Sequence, residues 1–227
     1  QTVTMTGTSG GTYTASPSGL TINGSTGEIT PSTSTAGTYT VTYTTPAIGS
    51  CAAFTATASV TINAVDDPAF NYNPATMCQT GTDQSAIITG GATGTFTASP
   101  SGLVFLDAST GQIDVSASAL NSYTITFTTN GVCPATGTFP ITITSAPIAT
   151  FNYAGPYCTD GVDPSPTFAS GASAGTFSAT PAGLVFVSTT TGQIDLSASA
   201  AGTYTVTNDI AAAGGCAAAS ATNTVTI

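Results

Sequence analysis

The sequence predicts an all-β protein made of small antiparallel sandwiches in series. Three observations carry that reading. Apolar residues alternate strictly with threonine along several segments, glycine and proline punctuate the chain at short intervals, and one long block occurs three times. Period-2 alternation is the mark of strands with one buried and one wet face.

The repeat comes first because it fixes every other element. Gly11-Thr-Tyr-Thr-Ala-Ser-Pro-Ser-Gly-Leu20 returns as Gly94-Thr-Phe-Thr-Ala-Ser-Pro-Ser-Gly-Leu103 and as Gly175-Thr-Phe-Ser-Ala-Thr-Pro-Ala-Gly-Leu184, at offsets of 83 and 81 residues. Each copy continues with a Thr-Gly-x-Ile segment at Thr26 to Ile29, Thr110 to Ile113 and Thr191 to Ile194. A strand signature follows: Gly37-Thr-Tyr-Thr-Val-Thr-Tyr43, Ser122-Tyr-Thr-Ile-Thr-Phe127 and Gly202-Thr-Tyr-Thr-Val-Thr207. The copies close on Ser59-Val-Thr-Ile62, Pro140-Ile-Thr-Ile143 and Thr224-Val-Thr-Ile227. A period of this length exceeds that of solenoid repeats and fits a tandem array of small domains, with expected boundaries 1–67, 68–148 and 149–227.

Copies two and three open with Phe70-Asn-Tyr72 and Phe151-Asn-Tyr153, an opening that copy one lacks. The chain therefore reads as a window on a longer array, with copy one truncated at its N-terminal side. About seven short strands per copy, with turn signals between them, indicate an immunoglobulin-like sandwich, and the series is expected to form an elongated rod.

Within each copy the turns are readable. Leu20 and Ile22, or Leu103 and Phe105, are expected to plug the core. Asn23, Asp107 and Ser188 stand four residues before Gly27, Gly111 and Gly192, where a short polar side chain caps its own turn and the glycine takes a positive φ. Asn130-Gly131 predicts a tight hairpin turn. The Ala-rich stretch 211–221 carries glycines and predicts a loop rather than a helix.

Five cysteines, at 51, 78, 133, 158 and 216, include no C-x-x-C pair. Structural disulfides in an oxidising, extracellular compartment are the favoured reading. Copies two and three hold two cysteines each, which predicts Cys78–Cys133 and Cys158–Cys216. Cys51 then occupies the Cys133 position of copy one, and its expected partner lies upstream of Gln1.

Composition excludes more than it suggests. The chain has no Lys, Arg or His and ten Asp plus Glu, for a formal charge of −10. Nucleic-acid binding and attraction to anionic lipid both need cations, and no salt bridge is possible between side chains. Catalytic triads, Cys-His pairs, Schiff-base lysines and histidine metal sites are all out of reach. No run of about 18 apolar residues is present to span a membrane. No cofactor and no catalysis are expected. A chain without basic residues also offers trypsin-like proteases no cleavage site, and its uniform charge keeps neighbouring copies apart.

The order Pro-x-Gly-Leu, then Asn-x-x-Thr-Gly-x-Ile, then Gly-Thr-Tyr-x-Val-Thr resembles bacterial immunoglobulin-like and cadherin-like domains. With Phe-Asn-Tyr ahead of the first cysteine, the whole chain resembles the tandem repeats of very large secreted surface adhesins of Bacteroidota. That resemblance implies export by the type IX pathway, a cell-surface location and a link to gliding motility or attachment.

Candidate sites are few. Asp66 and Asp67, at the first joint, are calcium candidates by analogy with interdomain carboxylates. The second joint, Ser145-Ala-Pro-Ile-Ala149, has no carboxylate, so a solvated linker is favoured. Asp160-Gly-Val-Asp163 is read as a turn, because copy two has Thr80-Gly-Thr-Asp83 there. Asp114 and Asp195 are equivalent but face Thr30 in copy one, which argues against a catalytic role. The expected function is a stalk or spacer segment of an extracellular adhesin, whose partners are neighbouring repeats. The alternative is a carbohydrate- or surface-binding module of a secreted multidomain protein.

Overall fold

A computed structural model describes residues 1–49 and 51–227. Among them the chain is all-β, with one 3-10 turn at Pro31–Thr33 and no α-helix. The described residues form two compact units: Gln1–Asp67 with Thr129–Ala135, and Pro68–Thr128 with Thr136–Ile227.

The first unit holds β1 (Thr12–Ser16), β2 (Gly37–Thr44) and β3 (Thr55–Ile62) in one antiparallel sheet, with β2 in the middle. Alternation places Tyr39 and Val41 on the buried face, while Thr38 and Thr40 face solvent.

In the second unit, copy two supplies β4 (Phe70–Asn71), β5 (Thr76–Cys78), β6 (Ile87–Ile88), β7 (Gly94–Ser99), β8 (Phe105–Asp107), β9 (Gln112–Ile113), β10 (Asn121–Thr129) and β11 (Thr136–Thr144). The sheet β5-β11-β10-β7 packs over the two-stranded pairs β4-β6 and β8-β9, which is the sandwich. β5 runs parallel to the end of β11, pairing Thr142 with Thr76 and Thr144 with Cys78. Copy three contributes β12 (Phe151–Asn152), β13 (Thr167–Phe168), β14 (Thr176–Thr180), β15 (Val185–Ser188), β16 (Gln193–Asp195), β17 (Thr203–Ile210) and β18 (Ala219–Thr226). Its sheet β14-β17-β18 faces the pairs β12-β13 and β15-β16 in the same way. Ala219 to Ala221, expected in a loop, are instead the first residues of β18, paired with β17.

The cores are thin and aromatic. In copy two Phe96 stacks on Phe127 at 4.4 Å, and Phe70 meets Phe96 edge-on at 5.1 Å. Ile113, Val115, Ile125 and Phe127 have no exposed surface. Copy three repeats the Phe70 contact as Phe151 on Phe177, at 5.2 Å.

Two polar devices hold each copy in shape. The tyrosine of the strand signature reaches back four residues: Tyr39 donates to the Thr35 carbonyl at 2.6 Å, Tyr123 to Ala119 and Tyr204 to Ala200, both at 2.8 Å. This is the tyrosine corner of immunoglobulin-like sandwiches. The glycine of Pro-x-Gly-Leu lies under that hydroxyl. At Gly183, with φ +126°, an added Cβ would sit 2.8 Å from the Tyr204 oxygen. The second device is a serine clip, in which Ser34, Ser118 and Ser199 accept the N–H of Thr21, Val104 and Val185 at 2.9 to 3.0 Å. Ser118 is wholly buried, so its hydroxyl is a required partner rather than a surface ornament.

The capped turns match their expected form. Asn23 accepts the N–H groups of Ser25 and Thr26, Asp107 accepts Ser109, and Ser188 accepts Thr190. Gly27, Gly111 and Gly192 follow at φ +73°, +68° and +73°. Asn130-Gly131 does not form the two-residue turn expected of it. The β10–β11 hairpin closes between Thr129 and Ala135, and Gly131 has no positive φ. Its N–H instead donates to the Asp66 carboxylate at 2.9 Å.

Candidate functional site at the repeat junctions

The chemistry-bearing groups collect where one copy meets the tail of the copy before it. β11 and β18 are the last strands of copies two and three, and each is preceded by a hairpin loop that carries the second cysteine of its copy. The first cysteine lies beside the far end of the same strand. Cys78 pairs with Thr144, the last residue of β11, and Cys133 precedes its first residue, Thr136. Likewise the N–H of Tyr157, next to Cys158, donates to the Thr226 carbonyl at the end of β18, while Cys216 precedes that strand.

This geometry corrects the expected disulfides. From Thr136 to Thr144, β11 spans about 26 Å at extended-strand rise, whereas bridged cysteines need Cα atoms within about 7 Å. Neither Cys78–Cys133 nor Cys158–Cys216 forms. The bond runs from Cys78 of copy two to Cys216 of copy three, with Cα atoms 4.8 Å apart. Cys51, Cys133 and Cys158 are unbonded, the first and last of them exposed.

The loop that delivers Cys216 is built for close approach. Ala213 and Cys216 exchange both backbone hydrogen bonds, which closes a two-residue hairpin over Gly214 and Gly215. Those glycines take φ +59° and +76°, the pair of positive values a type I′ turn demands. An added Cβ at Gly215 would come within 2.4 Å of the Thr76 carbonyl, so only glycine lets the loop lie against β5. The Thr144 hydroxyl sits between the carbonyls of Met77 and Gly214. Ser145, which begins the linker, has its carbonyl 3.2 Å from the Cys216 sulfur.

The same docking recurs in the first unit without the bond. Loop 129–135 of copy two belongs to that unit, and its Cys133 sulfur lies 3.9 Å from the Asn63 carbonyl. In copy two the residue equivalent to Asn63 is Thr144, whose carbonyl is 4.0 Å from the Cys216 sulfur. The Asp66 N–H donates to the Cys133 carbonyl at 2.9 Å, and the Asp66 side chain receives Gly131. A Cβ at Gly131 would meet both Asp66 oxygens at 2.5 Å. Asp66 thus grips a loop through backbone donors. Asp67 is exposed, and no group of three or more metal-type side chains occurs among the described residues.

The other carboxylates are structural as well. Asp83 accepts the Val115 N–H at 3.0 Å and Asp163 accepts Leu196 at 2.9 Å, pinning the loop after each first cysteine to its own sandwich. Asp114 and Asp195 take a serine hydroxyl and an alanine N–H each, from Ser116 and Ala117 and from Ser197 and Ala198. The serine bond first, then the backbone bond, hold both carboxyls below the usual range, and Asp107 is lowered likewise through Ser109. Such groups stabilise the fold above the unfolded carboxylate pKa, near 3.9, and lose that contribution as pH falls through the depressed folded value. The double variant Asp114→Asn/Asp195→Asn keeps an acceptor oxygen but does not titrate. Its melting temperature is expected to drop less than that of the wild type between about pH 5 and pH 2, as read by circular dichroism melts.

Sequence reasoning did not pick out the Tyr corner, the serine clip, the Gly214-Gly215 turn or Asn208. Asn208 is fully buried, accepts the Gly175 N–H and donates to the carbonyls of Ala149 and Ser173. The signal for the first two was present, since Ser34, Ser118 and Ser199 stand at one position of the repeat, as do the three tyrosines.

No protein-family model matches the sequence, and no curated protein matches it significantly. Solved structures similar to it include several that share 10 to 16% of residues. Protocadherin gamma B2 extracellular cadherin domains 3-6 match at 13% identity over 95% of this chain and 64% of that one, with a TM-score of 0.36. Human CDH23 EC21-23 matches at 15% over 91% of this chain and 81% of that one, with a TM-score of 0.38. A SusE-like surface located polysaccharide binding protein from the Bacteroides thetaiotaomicron heparin utilisation locus matches at 16%, over 95% of this chain and 43% of its own, with a TM-score of 0.28. No helix among the described residues is long and apolar enough to cross a membrane.

Proposed function

We propose that the chain is a non-catalytic spacer segment of an extracellular array, in which each repeat is fastened to the tail of the preceding one. The observation that supports this is the Cys78–Cys216 bond, which joins two repeats rather than closing one. The equivalent approach of Cys133 to Asn63 extends the pattern to the first joint. On this reading the second cysteine of each repeat pairs with the first cysteine of the repeat before it. Cys51 and Cys133 then await partners upstream of Gln1, and Cys158 awaits one in a following repeat. The domains are 1–67, 68–148 and 149–227, the array is elongated, and its parent is a surface adhesin of the Bacteroidota type exported by the type IX route. Its function is mechanical. A covalent bridge across a joint carries tension past the linker and keeps the sandwiches on both sides from being drawn apart.

Force spectroscopy on the chain held by its two ends tests the reading. With the bond intact, the 138 residues it encloses are hidden from extension. Adding a reductant under load is expected to release about 480 Å of further contour length, at roughly 3.5 Å per residue. A release of about 190 to 200 Å, the value for a loop closed within one copy, would refute the inter-repeat fastening.

A further inference from the structure

The first unit carries an open apolar cavity of about 680 Å³, walled by Val3, Met5, Tyr13, Tyr43, Phe54 and Ala58 among others. The repeats show what such a cavity holds. Gln1 stands where Gln84 stands in copy two, and the two make the same bond: Ile29 donates to the Gln1 carbonyl at 3.0 Å, and Ile113 to Gln84 at 2.8 Å. From this anchor Thr4 and Met5 correspond to Ile87 and Ile88, Tyr13 to Phe96, Gly27 to Gly111 and Tyr43 to Phe127. In copy two β4 lies along β6, with Phe70 opposite Ile88 and Asn71 opposite Ile87. Phe70 covers the Phe96–Phe127 pair, and the Tyr72 hydroxyl donates to the Gly111 carbonyl at 2.6 Å. Copy three fills the place with the same strand, Phe151 opposite Phe168 and edge-on to Phe177, and Tyr153 bonded to the Gly192 carbonyl, although Asn208 stands there in place of Phe127.

In copy one the equivalent ring pair is present, as Tyr13 and Tyr43, tilted at 42° with ring centroids 4.7 Å apart, but no third ring lies on it among the described residues. Thr4 and Met5 have no strand partner among the described residues. Phe54 and Ile48, on the rim, are 70% and 69% exposed.

We infer that this groove is an acceptor site for one extended strand of the Phe-Asn-Tyr type, supplied by a segment joined ahead of Gln1. The strand runs antiparallel to residues 4–5, its Phe seated on Tyr13 and Tyr43 and its Tyr hydroxyl donating to the Gly27 carbonyl. A second copy of the chain is a poor donor, because Phe70, Tyr72, Phe151 and Tyr153 are each at least nine-tenths buried in their own cores. The inference rests on the repeat geometry and not on the spacer reading.

The test adds a synthetic peptide of sequence Pro68–Met77 to the full 227-residue chain and follows amide hydrogen exchange. Exchange at Thr4 and Met5 is expected to slow about tenfold at ten times the dissociation constant, since protection grows as one plus the ratio of ligand to that constant. The same peptide with Phe70→Ala and Tyr72→Ala is expected to give no protection. Equal protection by both peptides, or none by either at millimolar concentration, would overturn the assignment. So would a dimer in sedimentation that the peptide fails to dissociate, which would give the groove to a second copy. An apolar dye bound there and not displaced by the peptide would give it to a different ligand.

Discussion

Cys78→Ser or Cys216→Ser is expected to lower the unfolding free energy of the second unit by about 5 kcal/mol, the largest single effect available outside its cores. In the chain-entropy account a cross-link stabilises by restricting the unfolded chain, and the restriction grows with the logarithm of the loop. Here the loop spans 138 residues, so the bond sits near the top of the usual range. Against a total stability of about 5–15 kcal/mol for a typical domain, its loss is severe. Denaturant titration of the oxidised protein and of each variant reads the difference. Cys133→Ser and Cys158→Ser are the controls, and each is expected to fall within about 0.5 kcal/mol of the wild type, as a surface change does. A loss in Cys133→Ser equal to that in Cys78→Ser would mean that these two are partners and would refute the pairing. Peptide mapping without reduction checks the same point directly. It needs pepsin or chymotrypsin, because a chain without Lys or Arg gives trypsin nothing to cut.

Most of the fold was legible in the sequence, and the disulfides were not, for one physical reason. Alternation reports which face of a strand is buried, and the turn signature reports its own backbone, so Tyr39, Val41, Asn23 and Gly27 could be read locally. A cysteine pair is a statement about two ends of a structure. Counting two cysteines per copy suggested a bond within each copy, but β11 and β18 hold the two members at opposite ends. Only the parallel pairing of β5 with the tail of β11 reveals this, and sequence carries no signal for that register. Asn130-Gly131 was misread on similar grounds. Its residues fit a tight turn, yet the Asp66 carboxylate, 65 residues away, takes the Gly131 N–H and a longer loop results. In each case a contact distant in sequence overrode a local preference.

Phe127→Ala is expected to cost about 3–5 kcal/mol, as large-to-small changes of fully buried aromatics do. Phe127 has no exposed surface and lies against the rings of Phe96 and Phe70, at 4.4 and 5.9 Å. Removing it opens a cavity between two sheets that are already thin, and Gly94, whose added Cβ would stand 2.7 Å from the Phe127 ring, shows how closely the backbone is packed there. Tyr43 occupies the same position of copy one and provides the contrast. It is half-buried, meets the Tyr13 ring alone in a tilted contact, and its hydroxyl donates to the Thr8 carbonyl and accepts the Gly11 N–H. Tyr43→Ala therefore forfeits one ring contact and two hydrogen bonds at the wall of an open groove, a loss expected to be less than half that of Phe127→Ala. Paired denaturant curves on the two variants measure the ratio. Bound Pro68–Met77 peptide should bring the cost of Tyr43→Ala toward that of Phe127→Ala, because the groove then has its third ring. A Tyr43→Ala cost that equals the Phe127→Ala cost with no peptide present would show the first unit already closed and would remove the acceptor groove from the structure.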